Sequence, residues 1–169
     1  NLLLGPSLDV LETQLIPGAN RLGTRTFGGD PYWVSTHGQA YIQGIHSGSD
    51  GRVAVIAKHF PGLGSSDRAT EDEIPTIRKT LEELKSIELS PFFAVTGGAP
   101  DKGATADGLL ASHIRYQGLQ GNIRSTTRPI TFDQQAMNLL LQLPQLESWR
   151  VATSRVTRTG GTSTEVEVR

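Results

Sequence analysis

The chain has 169 residues and a mass of 18.2 kDa, with 36% hydrophobic residues, 20% charged residues and a formal net charge of -1. That balance argues against a disordered chain, and no apolar run approaches the roughly 20 residues of a membrane helix. The near-zero charge offers no broad electrostatic grip on nucleic acid, and the absence of Cys rules out disulfides and thiolate metal sites without indicating a compartment. The sequence begins at Asn1 in an apolar segment, with no initiator Met and no basic residues ahead of it. It therefore does not read as a signal peptide, and a start in mid-strand suggests part of something longer.

In chain order, Asn1–Val10 predicts a buried strand broken by Gly5 and Pro6, followed by a loop that carries Asp9. Residues 17–31 are rich in Gly and Pro and read as loop. Asp30 and Pro31 suit the cap and first position of a helix. Trp33, His37, Tyr41 and Ile45 then recur at four-residue spacing, with Val34 and Ile42 beside them, and predict a helix ending near Ser47. Ser47–Gly51 is a turn.

Val53–Ala57 is apolar on both alternating faces and predicts a buried strand that ends in Lys58-His59-Phe60-Pro61-Gly62. A polar loop over 61–73 leads to a second helix over about 76–88, and Ser90-Pro91 starts a short third one. Gly108–Ala111 is the next strand, with Ser112-His113 at its end. A polar stretch over 117–129 precedes a helix capped by Thr131 and carrying Phe132, Met137, Leu140 and Leu141. Strands alternating with amphipathic helices predict an α/β fold with a parallel sheet. In such sheets ligands meet the C-terminal strand ends, where Asp9, Lys58-His59 and Ser112-His113 all fall.

Several simpler motifs fail. Gly62-Leu63-Gly64 has Asp67 where a dinucleotide loop needs its third Gly, and no Walker-type Gly-Lys-Ser/Thr occurs. The four His residues lack metal-ligand spacing, so no metal is expected, and His37 and His46 read as packing or surface residues. Arg25, in a Gly-rich loop, is either aimed at ligand hydroxyls or paired with a carboxylate such as Asp30. Lys58-His59 is either a polar recognition pair or a surface Lys beside a structural His. The acids at 71–73 and 82–83 fit helix N-termini or a solvated face.

Taken together, the runs Asn1–Val10, Arg25–Pro31, Ala57–Gly64, Glu88–Phe92 and Leu110–Tyr116 resemble the N-terminal (β/α)8 domain of glycoside hydrolase family 3. The resemblance covers about residues 1–150 and is nearest to the β-N-acetylhexosaminidase branch. It implies a partial (β/α)8 barrel, since a complete one needs about 250 residues. It also implies a retaining β-glycosidase that acts on β-linked sugars, N-acetylglucosaminides or glucosides, through an Asp nucleophile, without metal or organic cofactor. By position, Arg25, Lys58, His59 and His113 would contact the sugar.

Two departures qualify what the resemblance implies. The branch carries an Asp-x-His acid/base dyad on the loop after Lys-His-Phe-Pro-Gly. Asp67 matches its Asp, but Ala69 stands where the His would be, and Glu71 or Asp72 is an unselected substitute. The family's nucleophile, an Asp after a later apolar strand, is also missing: residues 151–169 contain no Asp. They read as a disordered tail beyond a frame or gene break near Arg150. Three readings follow: an incomplete glycosidase, a non-catalytic carbohydrate-binding pseudoenzyme, or a fragment that folds poorly.

Overall fold

The computed structural model describes residues 1–12, 22–69 and 73–146. Three parallel strands form the main sheet in the order β1 (Leu2–Ser7), β2 (Ala54–Phe60) and β4 (Gly108–Ala111). Leu3 registers with Val55, and Ala57 registers with Leu109. Both pairings shift register near their C-terminal ends, between Leu4 and Ser7 and between Lys58 and Phe60. Such irregularities re-aim side chains, and here they coincide with the polar residues. A second, two-stranded parallel sheet pairs β3 (Thr76–Ile77) with β5 (Arg115–Tyr116).

Helix α1 (Pro31–Gly48) starts as the sequence predicts: Asp30 accepts a hydrogen bond from Tyr32 N at 2.8 Å, with Pro in the first turn. The stripe it buries is Val34, Gly38 and Ile42. The adjoining aromatic stripe is more open than the spacing suggested, with Trp33 53% and Tyr41 39% exposed. Phe27 meets His37 and Tyr41 at ring distances of 5.7 and 6.2 Å. Among the described residues strand β1 pairs only with β2, and Leu2 and Leu4 are exposed where the sequence predicts a buried strand.

The helix expected over 76–88 divides. Thr76 and Ile77 pair with β5, and α2 (Leu81–Ser86) begins only after the reciprocal capping box of Thr80 and Glu83. β-Branched residues after Pro75 favour the extended backbone, and the capping box sets the helix start. Helix α3 (Ser90–Ala94) buries Phe92 against Phe60 in an edge contact at 5.4 Å. Helix α4 (Gln117–Gln120) is a single turn. Thr131 is not a helix cap: Ile130–Phe132 forms a 3-10 turn, and Asp133 caps α5 (Gln134–Leu141) by accepting from Ala136 N at 3.1 Å. Phe132 is accordingly 64% exposed.

His46 near the end of α1 does more than pack. Its Nδ1 lies 2.8 Å from Gly103 O and its Nε2 lies 2.9 Å from Asp107 Oδ2. Asp107 Oδ2 also accepts from Val55 N at 2.7 Å, so the ring ties α1 to the entrances of β2 and β4. Both ring nitrogens face acceptors, and only the imidazolium donates from both. Burial opposes the charge, but the bonds to Asp107 and Gly103 outweigh it, and the pKa is raised above 6.5. The proton is thus held more tightly in the folded state. The resulting stability is full below about pH 6.5 and is lost as pH rises through the raised folded value. Urea denaturation across pH 5–9 should show that decline, flattened in His46→Gln; equal slopes would refute the clamp.

Candidate functional site

The C-terminal ends of β1, β2 and β4 lie side by side. Leu8 N donates to Lys58 O at 2.6 Å, and Ser112 N donates to Phe60 O at 2.8 Å. These bonds carry the parallel pairing past the regular strands and set the segments that carry Asp9, Lys58-His59 and Ser112 side by side.

Asp9 is fully buried and accepts three hydrogen bonds. Ser7 Oγ and His59 Nδ1 reach Oδ2 at 2.5 and 2.7 Å, and Leu63 N reaches Oδ1 at 2.7 Å. Those donors compensate the burial of a carboxylate. His59 itself remains partly open, with its side chain 25% exposed. Lys58 is half-buried, and among the described residues its side chain has no hydrogen bond or ion pair. The Lys58–His59 and Phe60–Pro61 peptide bonds are cis.

The turn after His59 is built from inside. Tyr116 OH donates to Gly62 O at 2.6 Å and lies 2.7 Å from Ser112 Oγ, which also bonds Phe60 O at 3.0 Å. Burial, together with the charges of Asp9 and Glu88, pushes the Tyr116 phenol well up despite the Ser112 bond. It therefore stays neutral and keeps its proton to donate. Gly62 has φ +125, and a Cβ there would come within 2.7 Å of Glu88 Cβ.

Beneath that turn lies an ionic network. Lys79 Nζ bonds Glu88 Oε1 at 2.6 Å, Ser65 Oγ at 2.9 Å and the Glu12 carboxylate. Ser65 Oγ also bonds Glu88 Oε1. Glu88 is fully buried, and among the described residues its Oε2 has no hydrogen-bond partner. Burial raises the Glu88 pKa, opposed by Lys79 and Ser65.

The remaining predicted residues are spread more widely. Arg25 ends the exposed 3-10 turn Gly23–Arg25, and its Nε donates to Leu22 O at 3.3 Å. His113 is exposed, bonds Thr131 Oγ1 through Nδ1, and stacks on Phe132 at 5.4 Å with 10° between the rings. Asp67 is taken up by its loop: Oδ1 accepts from Thr76 N at 2.8 Å, and both oxygens bond Arg68 at 3.2 Å. Glu71, Asp72 and 151–169 lie outside the described residues.

Sequence reasoning placed Asp9 on the rim but missed its bond to His59, and it missed Tyr116, Lys79 and Glu88 as supports. Their motif positions were visible only for Tyr116 and Glu88, which fall inside matched runs.

The model of the glycosyl hydrolase family 3 N-terminal domain matches residues 1–143. The chain belongs to glycosyl hydrolase family 3. A β-hexosaminidase of Xylella fastidiosa is 35% identical over 99 residues, which cover 59% of this chain and 27% of that protein. The β-hexosaminidase LpqI of Mycobacterium bovis is 30% identical over 135 residues, covering 80% of this chain and 30% of that one. A family 3 β-N-acetylglucosaminidase structure from Paenibacillus sp. superposes with a TM-score of 0.63 and 27% identity, over 78% of this chain and 22% of that one. The chain thus spans less than a third of these relatives, and its α/β fold is part of a parallel (β/α)8 barrel. Among the described residues, no helix is long and apolar enough to cross a membrane.

Proposed function

We propose that this chain recognises the sugar of a β-linked N-acetylglucosaminide, as part of a retaining β-glycosidase. Arg25, Lys58, His59 and His113 meet sugar hydroxyls. The carrying observation is at the end of β2, where Lys58 makes no side-chain bond among the described residues and the adjacent His59 is held by buried Asp9. Each hydroxyl taken from water must regain its hydrogen bonds, and a free ammonium beside an oriented imidazole suits that need. The names of the similar proteins, β-hexosaminidases and a β-N-acetylglucosaminidase, favour an N-acetylated sugar.

A retaining mechanism needs a carboxylate nucleophile and an acid/base group, and uses no metal or organic cofactor. Residues 151–169 contain no Asp, and we assign Asp67 to holding its loop through Thr76 N and Arg68. The chain by itself is therefore a sugar-binding unit without turnover. Titration with N-acetylglucosamine, alongside a chromogenic β-N-acetylglucosaminide assay, tests both halves. Binding that weakens about tenfold in Lys58→Ala, the worth of one charged hydrogen bond, with no turnover, is the expected result. Absent binding would overturn recognition, and turnover above buffer would overturn the inactivity.

A further inference from the structure

We infer that Asp9 is a positioning residue that sets the tautomer of His59, so that the site offers the sugar one acceptor beside one cationic donor. The inference deepens the sugar-binding reading and rests on it for the identity of the ligand.

Asp9 lies on the segment after β1, and His59 lies on β2, 50 residues apart in sequence. The carboxylate is fully buried and its two oxygens are occupied by Ser7 Oγ, His59 Nδ1 and Leu63 N, so its orientation is fixed from three sides. An ionised carboxylate only accepts. His59 Nδ1 at 2.7 Å must therefore carry the proton, and in the neutral ring the lone pair is left on Nε2. Nε2 has no partner among the described residues, and the side chain is 25% exposed.

A hydroxyl at this position is met as a donor by His59 Nε2 and as an acceptor by Lys58 Nζ. Sugars present both functions on every hydroxyl, so the pair selects a hydroxyl over a group that only accepts or only donates. With the opposite tautomer both neighbours would be donors, and that discrimination would be lost.

Long-range proton–nitrogen NMR of the imidazole rings, at a pH where His59 is neutral, reads the tautomer directly. The expected result is an Nδ1–H ring for His59 in the wild-type chain. Asp9→Asn places an amide NH2 among three donors, and should move His59 toward the Nε2–H form and weaken N-acetylglucosamine binding about tenfold. A predominant Nε2–H ring in the wild type, or an unchanged ring in a folded Asp9→Asn, would overturn the assignment. Should Asp9→Asn fail to fold, Ser7→Ala decides. It leaves the carboxylate to His59, so the Nδ1–H ring should persist; its loss would overturn the assignment. Wild-type chain with the Nδ1–H ring but no sugar binding would refute the sugar reading while leaving the role of Asp9 in place.

Discussion

Replacing Lys79 with Met should lower the stability of the fold by about 3–5 kcal/mol near neutral pH, the usual cost of leaving one member of a buried ion pair alone. Glu88 is fully buried, and Lys79 is its only cationic partner among the described residues. Its carboxyl is already raised by burial even with the ammonium bound. Removing the ammonium raises it further, and the folded state then binds a proton that the unfolded chain has released. The contribution of Glu88 is full below the unfolded carboxyl value and is lost as pH rises through the raised folded one. Lys79→Met should therefore be much closer to wild type at pH 4.5 than at pH 8, and Glu88→Gln should rescue it at the higher pH. Urea denaturation at the two pH values measures this; a variant as stable as wild type at pH 8 would show that the pair contributes nothing.

Gly64→Ala is expected to be at least as damaging, by a different route. A Cβ at Gly64 would stand 1.9 Å from Val10 O and 2.5 Å from Val10 C. Both are backbone atoms of the segment that carries Asp9, so no side chain can rotate away. Relief would require moving the end of β1 from the turn after His59, which carries Leu63 N off Asp9 Oδ1. A loss of about 3 kcal/mol or more is expected, at the upper end for overpacking. Gly44→Ala is the internal comparison, because a Cβ there meets nothing within 4 Å. In the interior of α1 it should gain up to about 1 kcal/mol. Thermal melts of the two variants should move in opposite directions, and a Gly64→Ala melt that matches wild type would refute the close packing.

The two variants also separate the levels at which the site is built. Gly64 controls how closely two strand ends approach. Lys79 controls whether a charge can remain beneath the turn that joins them. Neither touches the proposed ligand, yet both act on the segment that holds His59.

Much of this was legible in the residues. The capped start of α1, the apolar run leading into Lys58-His59 and the run leading into Ser112-His113 are local patterns, and the structure reproduces them with small shifts. Residues 76–77 were misread because a two-residue strand has no period to detect; only its partner Arg115–Tyr116 makes it a strand. The four-residue spacing puts Trp33 and Tyr41 on the packed helix face, but the residues that α1 buries are Val34, Gly38 and Ile42.

The order of strands and helices, the family, and the residues available at the strand ends follow from the amino-acid sequence, because capping, periodicity and short motifs act within a few residues. Which of those residues meet is decided by the tertiary structure. Asp9 finds His59 across 50 positions, and Lys79 finds Glu12 across 67. Such pairings depend on parallel strands being brought into register by the crossover between them, and no local preference encodes that closure.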